Sequence, residues 1–250
     1  MIIDGTEIFE KDCSYPEWVD ISLFNENGIL KPSAFQKLFA TCVERHLSKF
    51  HAATDDLLVH NLAWVLTSAS FKVVRPITEC RTLFMQTWHS QHKGPYFRRD
   101  FIFRDENGEE YFRGANYSIL LDMTSRKIFR KRAIPFELDA PYETTVLEAS
   151  PNFKTDVLFS DISERRVFPS QLDRLGHVNN VCYGDFAYDT LSEKEIQRLA
   201  ELKRIDVYFL SEMRKGDQFT LQRADDENRI IIRGKNNTKD DIAFCYILTF

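Results

Sequence analysis

Apolar residues recur along residues 32–50 (PSAFQKLFATCVERHLSKF) at Phe35, Leu38, Phe39, Cys42, Val43, His46, Leu47 and Phe50, a single stripe with the period of a helix. Pro32 and Ser33 suit its start, where a missing N–H and a spare hydroxyl acceptor cost nothing. The pattern then changes. Runs rich in β-branched and aromatic residues at 63–76, 82–89, 96–104 and 109–122 predict strands, with a short edge strand at 127–129. Asn107-Gly108 predicts a tight hairpin between the last two long runs.

The second half repeats this order. Residues 157–170 predict an extended segment, and 180–191 predict a helix with Val181, Gly184, Ala187, Tyr188 and Leu191 on one face. Ser192 and Glu195 form a capping box for a further helix carrying Ile196, Leu199 and Leu202. Strands are predicted again at 205–211, 218–223, 229–234 and 242–250. Between the halves, residues 133–155 hold three prolines and little periodicity, so we read 1–132 and 156–250 as two domains and 133–155 as their linker.

Placing Gly28 on Gly176, an offset of 148, lays VDISLFNENGILKPSAFQKL over VFPSQLDRLGHVNNVCYGDF, with Phe35 over Tyr183 and Leu38 over Phe186. A long helix wrapped by a curved antiparallel sheet, used twice, is an α+β tandem hotdog. The two sheets are expected to join into one within the chain. The copies differ in chemistry: where the second has Asp173, His177 and Asn179, the first has Asn25, Ile29 and Lys31. That asymmetry points to one active copy and one that shapes the pocket.

Bulk properties narrow the function. The 250-residue chain is 43% hydrophobic and 13% aromatic, with 21 phenylalanines, enough for one large core or two medium ones. A net charge of −5 argues against binding nucleic acid through bulk charge. The five cysteines (Cys13, Cys42, Cys80, Cys182, Cys245) lack metal-ligand spacing and are read as reduced thiols of a cytoplasmic protein. We expect no metal and no cofactor. No window approaches the ~18 apolar residues of a membrane span, and the acidic start does not resemble a secretory or transit signal.

The chemistry concentrates in LDRLGHVNNVCYGDF, residues 172–186. Gly176 permits a tight turn before the second helix. Amides at a helix start, with His177 and Asn179 or Asn180, offer donors for a carbonyl oxygen, and Asp173 can orient the histidine or hold a water. No G-x-S-x-G serine exists, and Cys182 falls within the predicted helix, so a carboxylate must come from elsewhere. Glu212, at the end of the apolar run RIDVYFLSE, is the best candidate. His46, His51, His60, His89 and His92 lack such company and are read as structural.

DRLGHVNNVCY followed by RIDVYFLSEMRKGDQFTL resembles the acyl-acyl-carrier-protein (acyl-ACP) thioesterases of plants and bacteria. AWVLTSASFKVVRPITECRTLFMQTW and YFRRDFIFRDENGEEYFRGANYSILLDMTSRKI resemble that family's first hotdog, so the likeness spans residues 5–250. By that resemblance Asp173, His177 and Glu212 match the catalytic carboxylate, histidine and glutamate. Gly176, Asn179 and Asn180 would position substrate and the oxyanion. Leu175 departs from the family, whose plant members carry Asn there, and Met213 stands where they carry Cys. The absence of a transit peptide suggests a bacterial member.

The implied reaction releases fatty acid from acyl-ACP. Its acyl chain would lie along Trp64, Phe71, Phe84 and Trp88 of the first hotdog. Acyl carrier protein is acidic, so Arg98, Arg99, Arg126, Lys127, Arg130, Lys131 and Arg132 are the expected docking cations of a monomer or homodimer. An acyl-coenzyme A thioesterase and a non-catalytic acyl-binding protein are the alternatives. Chain-length preference and the choice between Glu212 as nucleophile or as base are not legible in the sequence.

Overall fold

A computed structural model describes residues 14–129, 134, 136 and 144–250. Contacts divide the chain into two compact units. The first comprises Met1–Ile21, Leu38–Arg75 and Glu79–Pro151. The second comprises Ser22–Lys37, Pro76–Thr78 and Asn152–Phe250, so it includes two segments from the first half of the chain. Each sets helix against antiparallel sheet, the tandem hotdog plan of an α+β chain.

In the first unit, strands β1 (Ser14–Val19), β2 (Leu62–Val73), β3 (Arg81–Lys93), β4 (Tyr96–Arg104) and β5 (Glu110–Asp122) lie in the order β1-β3-β4-β5-β2. The short β6 (Lys127–Ile128) pairs with β5. The Leu38–Ser48 part of helix α1 (Pro32–Ser48) belongs to this unit, and its stripe is buried as the spacing predicts: Leu38, Phe39, Cys42, His46 and Leu47 lie within the core. The Phe39 ring is tilted against Phe101 at 4.4 Å and meets Phe71 edge-on at 6.1 Å, ring centre to ring centre.

Strand β1 and the one-turn-scale helix α2 (Thr54–Val59) are absent from the sequence-based expectation. Strand β1 carries Pro16, which only an edge position tolerates, and it pairs with β3 alone. Helix α2 is six residues long, too short for periodicity to show. The Asn107-Gly108 hairpin is also looser than a two-residue turn. Asp105 spans it, accepting from the Asn107 and Glu109 amides at 3.0 and 2.9 Å, with Gly108 at φ +83°.

Residues 144–150, which lie in the expected linker, are hydrogen-bonded to β2, β3 and β4. Asp100 is fully buried, and both its oxygens are used: Arg98 Nε and Nη2 donate at 2.8 and 2.9 Å and the Val146 amide donates at 3.0 Å. Arg98 also donates to the Leu147 carbonyl, Trp88 Nε1 to Thr144 (2.9 Å) and Ser68 to Ser150 (2.9 Å). Arg98 and Arg99 were expected as docking cations, but they are 6% and 7% exposed. For Arg98 the reason is that its charge is committed to Asp100.

The proposed acyl wall does not exist as one surface. Leu83, Met85 and Thr87 point into the core, so Phe84 and Trp88, one step out of phase, face the other way. Phe71 lies in the core row with Phe101, whereas Trp64 belongs to a separate cluster with Phe97 and Phe136 and donates to Ala52 at 3.0 Å.

In the second unit, β8 (Arg204–Phe209), β11 (Asp241–Thr249), β10 (Arg229–Asn236), β9 (Gln218–Asp225) and β7 (Ser160–Arg166) follow in that order. Helix α3 covers Cys182–Tyr188, shorter than the predicted 180–191. The Thr190 hydroxyl takes the Ala187 carbonyl at 2.7 Å, and i→i+3 bonds close the end. Tyr183 and Phe186 pack on Phe244 and Phe219, with ring centres 4.7 and 5.0 Å apart. Ser192 and Glu195 do cap helix α4 (Glu193–Arg198), and Arg223 beside Glu195 lowers that carboxyl to about 2.

Two glycines serve packing. A Cβ at Gly114 would lie 2.3 Å from the Phe101 ring and from the Ser70 carbonyl, and one at Gly234 would lie 2.2 Å from the Phe244 ring. We expect Gly114→Ala to cost about 2–3 kcal/mol in denaturant unfolding, whereas Gly94→Ala, in open space at φ +61°, should cost about 1–2 kcal/mol. Asp100→Ala should cost about 3–5 kcal/mol, because it strands the buried Arg98.

Candidate active site

The turn before α3 is built by one carboxylate oxygen. Asp173 Oδ1 accepts from the Leu175 and His177 amides at 2.8 and 3.1 Å. The Asp173 amide donates to the His177 carbonyl at 2.7 Å, and the Gly176 amide to Asp173 at 3.1 Å. Gly176 sits at φ +77°, a conformation other residues enter at a cost. Leu172 then faces Val178, and the Asn179 amide reaches the Gln171 carbonyl at 2.8 Å.

The first half repeats this turn bond for bond at the 148-residue offset. Asn25 Oδ1 accepts from Asn27 and Ile29 at 3.0 and 2.9 Å, the Asn25 amide donates to Ile29 at 2.9 Å, and Gly28 has φ +69°. Phe24 faces Leu30, and the Lys31 amide donates to Leu23 at 3.0 Å. An uncharged Asn therefore makes the same turn. Bracing it does not require the charge of Asp173, and Leu175 contributes to it through its backbone alone.

The turn lays His177 beside the segment that leaves β8. The Val178 amide donates to the Met213 carbonyl at 2.9 Å, and His177 bridges to Arg214. Alternation along that segment buries Met213 fully and turns Glu212 and Arg214 towards the histidine. His177 Nε2 lies 3.2 Å from Glu212 Oε2, and Arg214 Nη2 lies 3.3 Å from that nitrogen and 3.4 Å from that oxygen. Lys239 Nζ donates to the Glu212 carbonyl. Tyr183 rises behind the pair: burial pushes its phenol well up, and the charges of Cys182, Asp173 and Glu212 push it further.

The asparagines do structural work here. Asn179 Oδ1 accepts from the Val181 amide at 3.0 Å, and its carbonyl takes the Cys182 amide at 2.9 Å. The Asn180 carbonyl accepts from Gln36 Nε2 at 2.9 Å. Two amides of the expected oxyanion cradle are thus used within the turn. Burial pushes the Cys182 thiol up to about 11, with Asp185 adding to it, so it is a poor nucleophile.

The turn brings His177 beside Glu212, with Asp173 bracing it, while Arg214, Lys239 and Gln36 are absent from the sequence-based expectation. Arg214 was legible, being two residues from Glu212 on an extended segment. Lys239 arrives on the β10–β11 connection, which no local pattern announces. Gln36 is 4% exposed, and its oxygen would lie 2.8 Å from a Cβ at Gly184. A glycine on a helix face was the signal that another chain segment approaches there. Of the remaining docking cations, Arg126 and Lys127 are exposed, while Arg130, Lys131 and Arg132 lie outside the described residues. Among the described residues no cluster of three or more His, Cys, Asp or Glu could hold a metal ion, and no helix is long and apolar enough to cross a membrane.

Residues 23–142 match the acyl-ACP thioesterase N-terminal domain family and residues 156–246 its C-terminal domain family. The palmitoyl-acyl carrier protein thioesterase of Arabidopsis thaliana chloroplasts is 28% identical over 142 residues, 52% of this chain and about a third (34%) of that protein's length. An acyl-ACP thioesterase from Bacteroides thetaiotaomicron superposes with TM-score 0.79 at 17% identity, covering 96% of this chain and 99% of that one. The 12:0-ACP thioesterase of Umbellularia californica superposes with TM-score 0.71 at 15% identity, covering 95% and 96%. These structural likenesses concern the fold.

The duplicated turn generates a test. Asp173→Asn should keep the melting temperature within about 2 °C of the parent, whereas Asp173→Ala should lose about 1–2 kcal/mol of stability in denaturant unfolding.

Proposed function

The chain belongs to the acyl-ACP thioesterase family, and from that premise we propose that it hydrolyses the thioester of fatty acyl-ACP, with Glu212 and His177 as the working pair. The observation that supports this most directly is the 3.2 Å contact between His177 Nε2 and Glu212 Oε2. The carboxylate is partly sheltered and held by two donors, as a general base should be.

In this reading Glu212 takes a proton from a water, and the hydroxide adds to the thioester carbonyl. The tetrahedral intermediate collapses by breaking its carbon–sulfur bond. The proton held on Glu212 passes to the departing sulfur, leaving free fatty acid and the carrier thiol. His177 holds the reacting oxygen of Glu212 in place. Asp173 braces the turn and leaves a second carboxylate oxygen for the site, while Gly176, Asn179 and Asn180 position the loop. The enzyme acts in the cytoplasm, where its thiols stay reduced, and acyl carrier protein is its partner.

Release of fatty acid from an acyl-ACP panel of different chain lengths tests the proposal. Glu212→Gln and His177→Ala should each lower kcat by roughly 10²–10⁴-fold with the fold intact. Parent-like turnover in Glu212→Gln would remove the mechanism, faster hydrolysis of acyl-coenzyme A would replace the carrier, and a trapped acyl-Glu212 adduct would turn the base into a nucleophile.

A further inference from the structure

Arg214 stands in the same contact as the proposed pair without a role in the reaction as written. Its Nη2, the His177 Nε2 and the Glu212 Oε2 form a triangle with sides of 3.2, 3.3 and 3.4 Å. The guanidinium can only donate hydrogen bonds and does not lose its charge. It therefore favours the carboxylate of Glu212, to which it donates, and disfavours a second positive charge on His177, whose neutral ring can still donate from Nε2 to Glu212. It opposes the imidazolium and the neutral acid, which present it with a charge or a proton.

We propose that Arg214 is a positioning residue that keeps Glu212 as carboxylate and His177 as neutral imidazole, extending the active state of the pair to lower pH. This rests on the assignment of Glu212 and His177 as the catalytic pair. The sign follows from charge alone. A cation beside a carboxylate lowers its pKa, and a cation beside an imidazole lowers that pKa too. Removing Arg214 raises both, so the acid limb of the rate profile moves to higher pH whichever group sets it.

The other charges facing the pair do not take over this task. Lys239 donates to the backbone carbonyl of Glu212 rather than to its carboxylate. Asp173, from the turn, has one oxygen committed to the His177 amide and adds negative charge, which works in the opposite direction. Tyr183, from α3, is kept neutral by burial. Asp217 accepts from the Arg214 amide at 3.0 Å and so fixes the backbone from which the guanidinium reaches. Lys215 is exposed on the following residue. Arg214 meets both partners side chain to side chain.

The test is the pH dependence of kcat/KM on an uncharged acyl-pantetheine thioester, which keeps carrier docking out of the measurement. Arg214→Gln should move the acid limb up by roughly one pH unit while the high-pH plateau changes far less. Arg214→Lys should keep the acid limb close to the parent position, because it retains the charge and loses only the fork. Arg214 is 58% exposed, so the variants should fold; if melting shows otherwise, salt decides. Raising salt on the parent should move its limb upward in the same way, by screening this cation. An acid limb that stays put or moves down in Arg214→Gln overturns the inference. Glu212→Gln separates the two failures. If it is inactive while Arg214→Gln is unshifted, only the role of Arg214 falls. If Glu212→Gln keeps its turnover, the assignment of the pair falls, and this inference with it.

Discussion

One carboxylate oxygen accepting two backbone amides determines where His177 sits. Asp173 Oδ1 draws in the Leu175 and His177 amides, and with Gly176 at positive φ the chain reverses within five residues. Without that reversal Val178 could not pair with Met213, and His177 would not face Glu212 at hydrogen-bonding distance. The turn is a matter of acceptor geometry, so Asn25 makes it equally well in the first half. Charge was free to vary between the copies while the backbone stayed the same. The first half kept the frame and lost the histidine, and the second kept both.

A second constraint operates in the first unit. Asp100 and Arg98 are buried together, and a buried pair of this kind is costly unless every lone pair and proton finds a partner. Here Ser90 and Tyr117 of the sheet supply some of the partners, and residues 144–150 supply the Val146 amide and the Leu147 carbonyl. The segment read as a loose linker is therefore held to the sheet by the same charges that were read as a docking surface. Both misreadings have one cause. Sequence shows that an arginine and an aspartate are close, but whether they face water depends on what the chain later lays over them.

The segment after β8 that carries the glutamate shows alternation at work. Glu212 and Arg214 share one side, and Met213 fills the core on the other. A sulfur at Met213 is thus directed away from His177, which leaves the Glu212 carboxylate as the group beside it. The burial of Cys182, with its thiol pushed up to about 11, removes the other nearby sulfur from consideration.

The sequence by itself determined the elements and their repetition, because these depend on periodicity. The stripe of α1 and the alternation of β3 are local properties, and each unit must bury them somewhere. It also determined the turn, since D-x-x-G-H supplies its own acceptor and its own positive-φ residue within five positions. Only the tertiary structure decided which polar groups meet. The contacts of His177 with Glu212 and Arg214 span 35 and 37 residues, and that of Gln36 with Asn180 spans 144. Their register is set by backbone pairing and by the close approach that Gly184 permits. The same holds for the aromatic residues expected to line an acyl tunnel. Phe71 and Phe84 look alike in sequence, but pleating sends one into the core and the other to the opposite face. Periodicity can say that a side chain is buried; it takes the packed sheet to say against what.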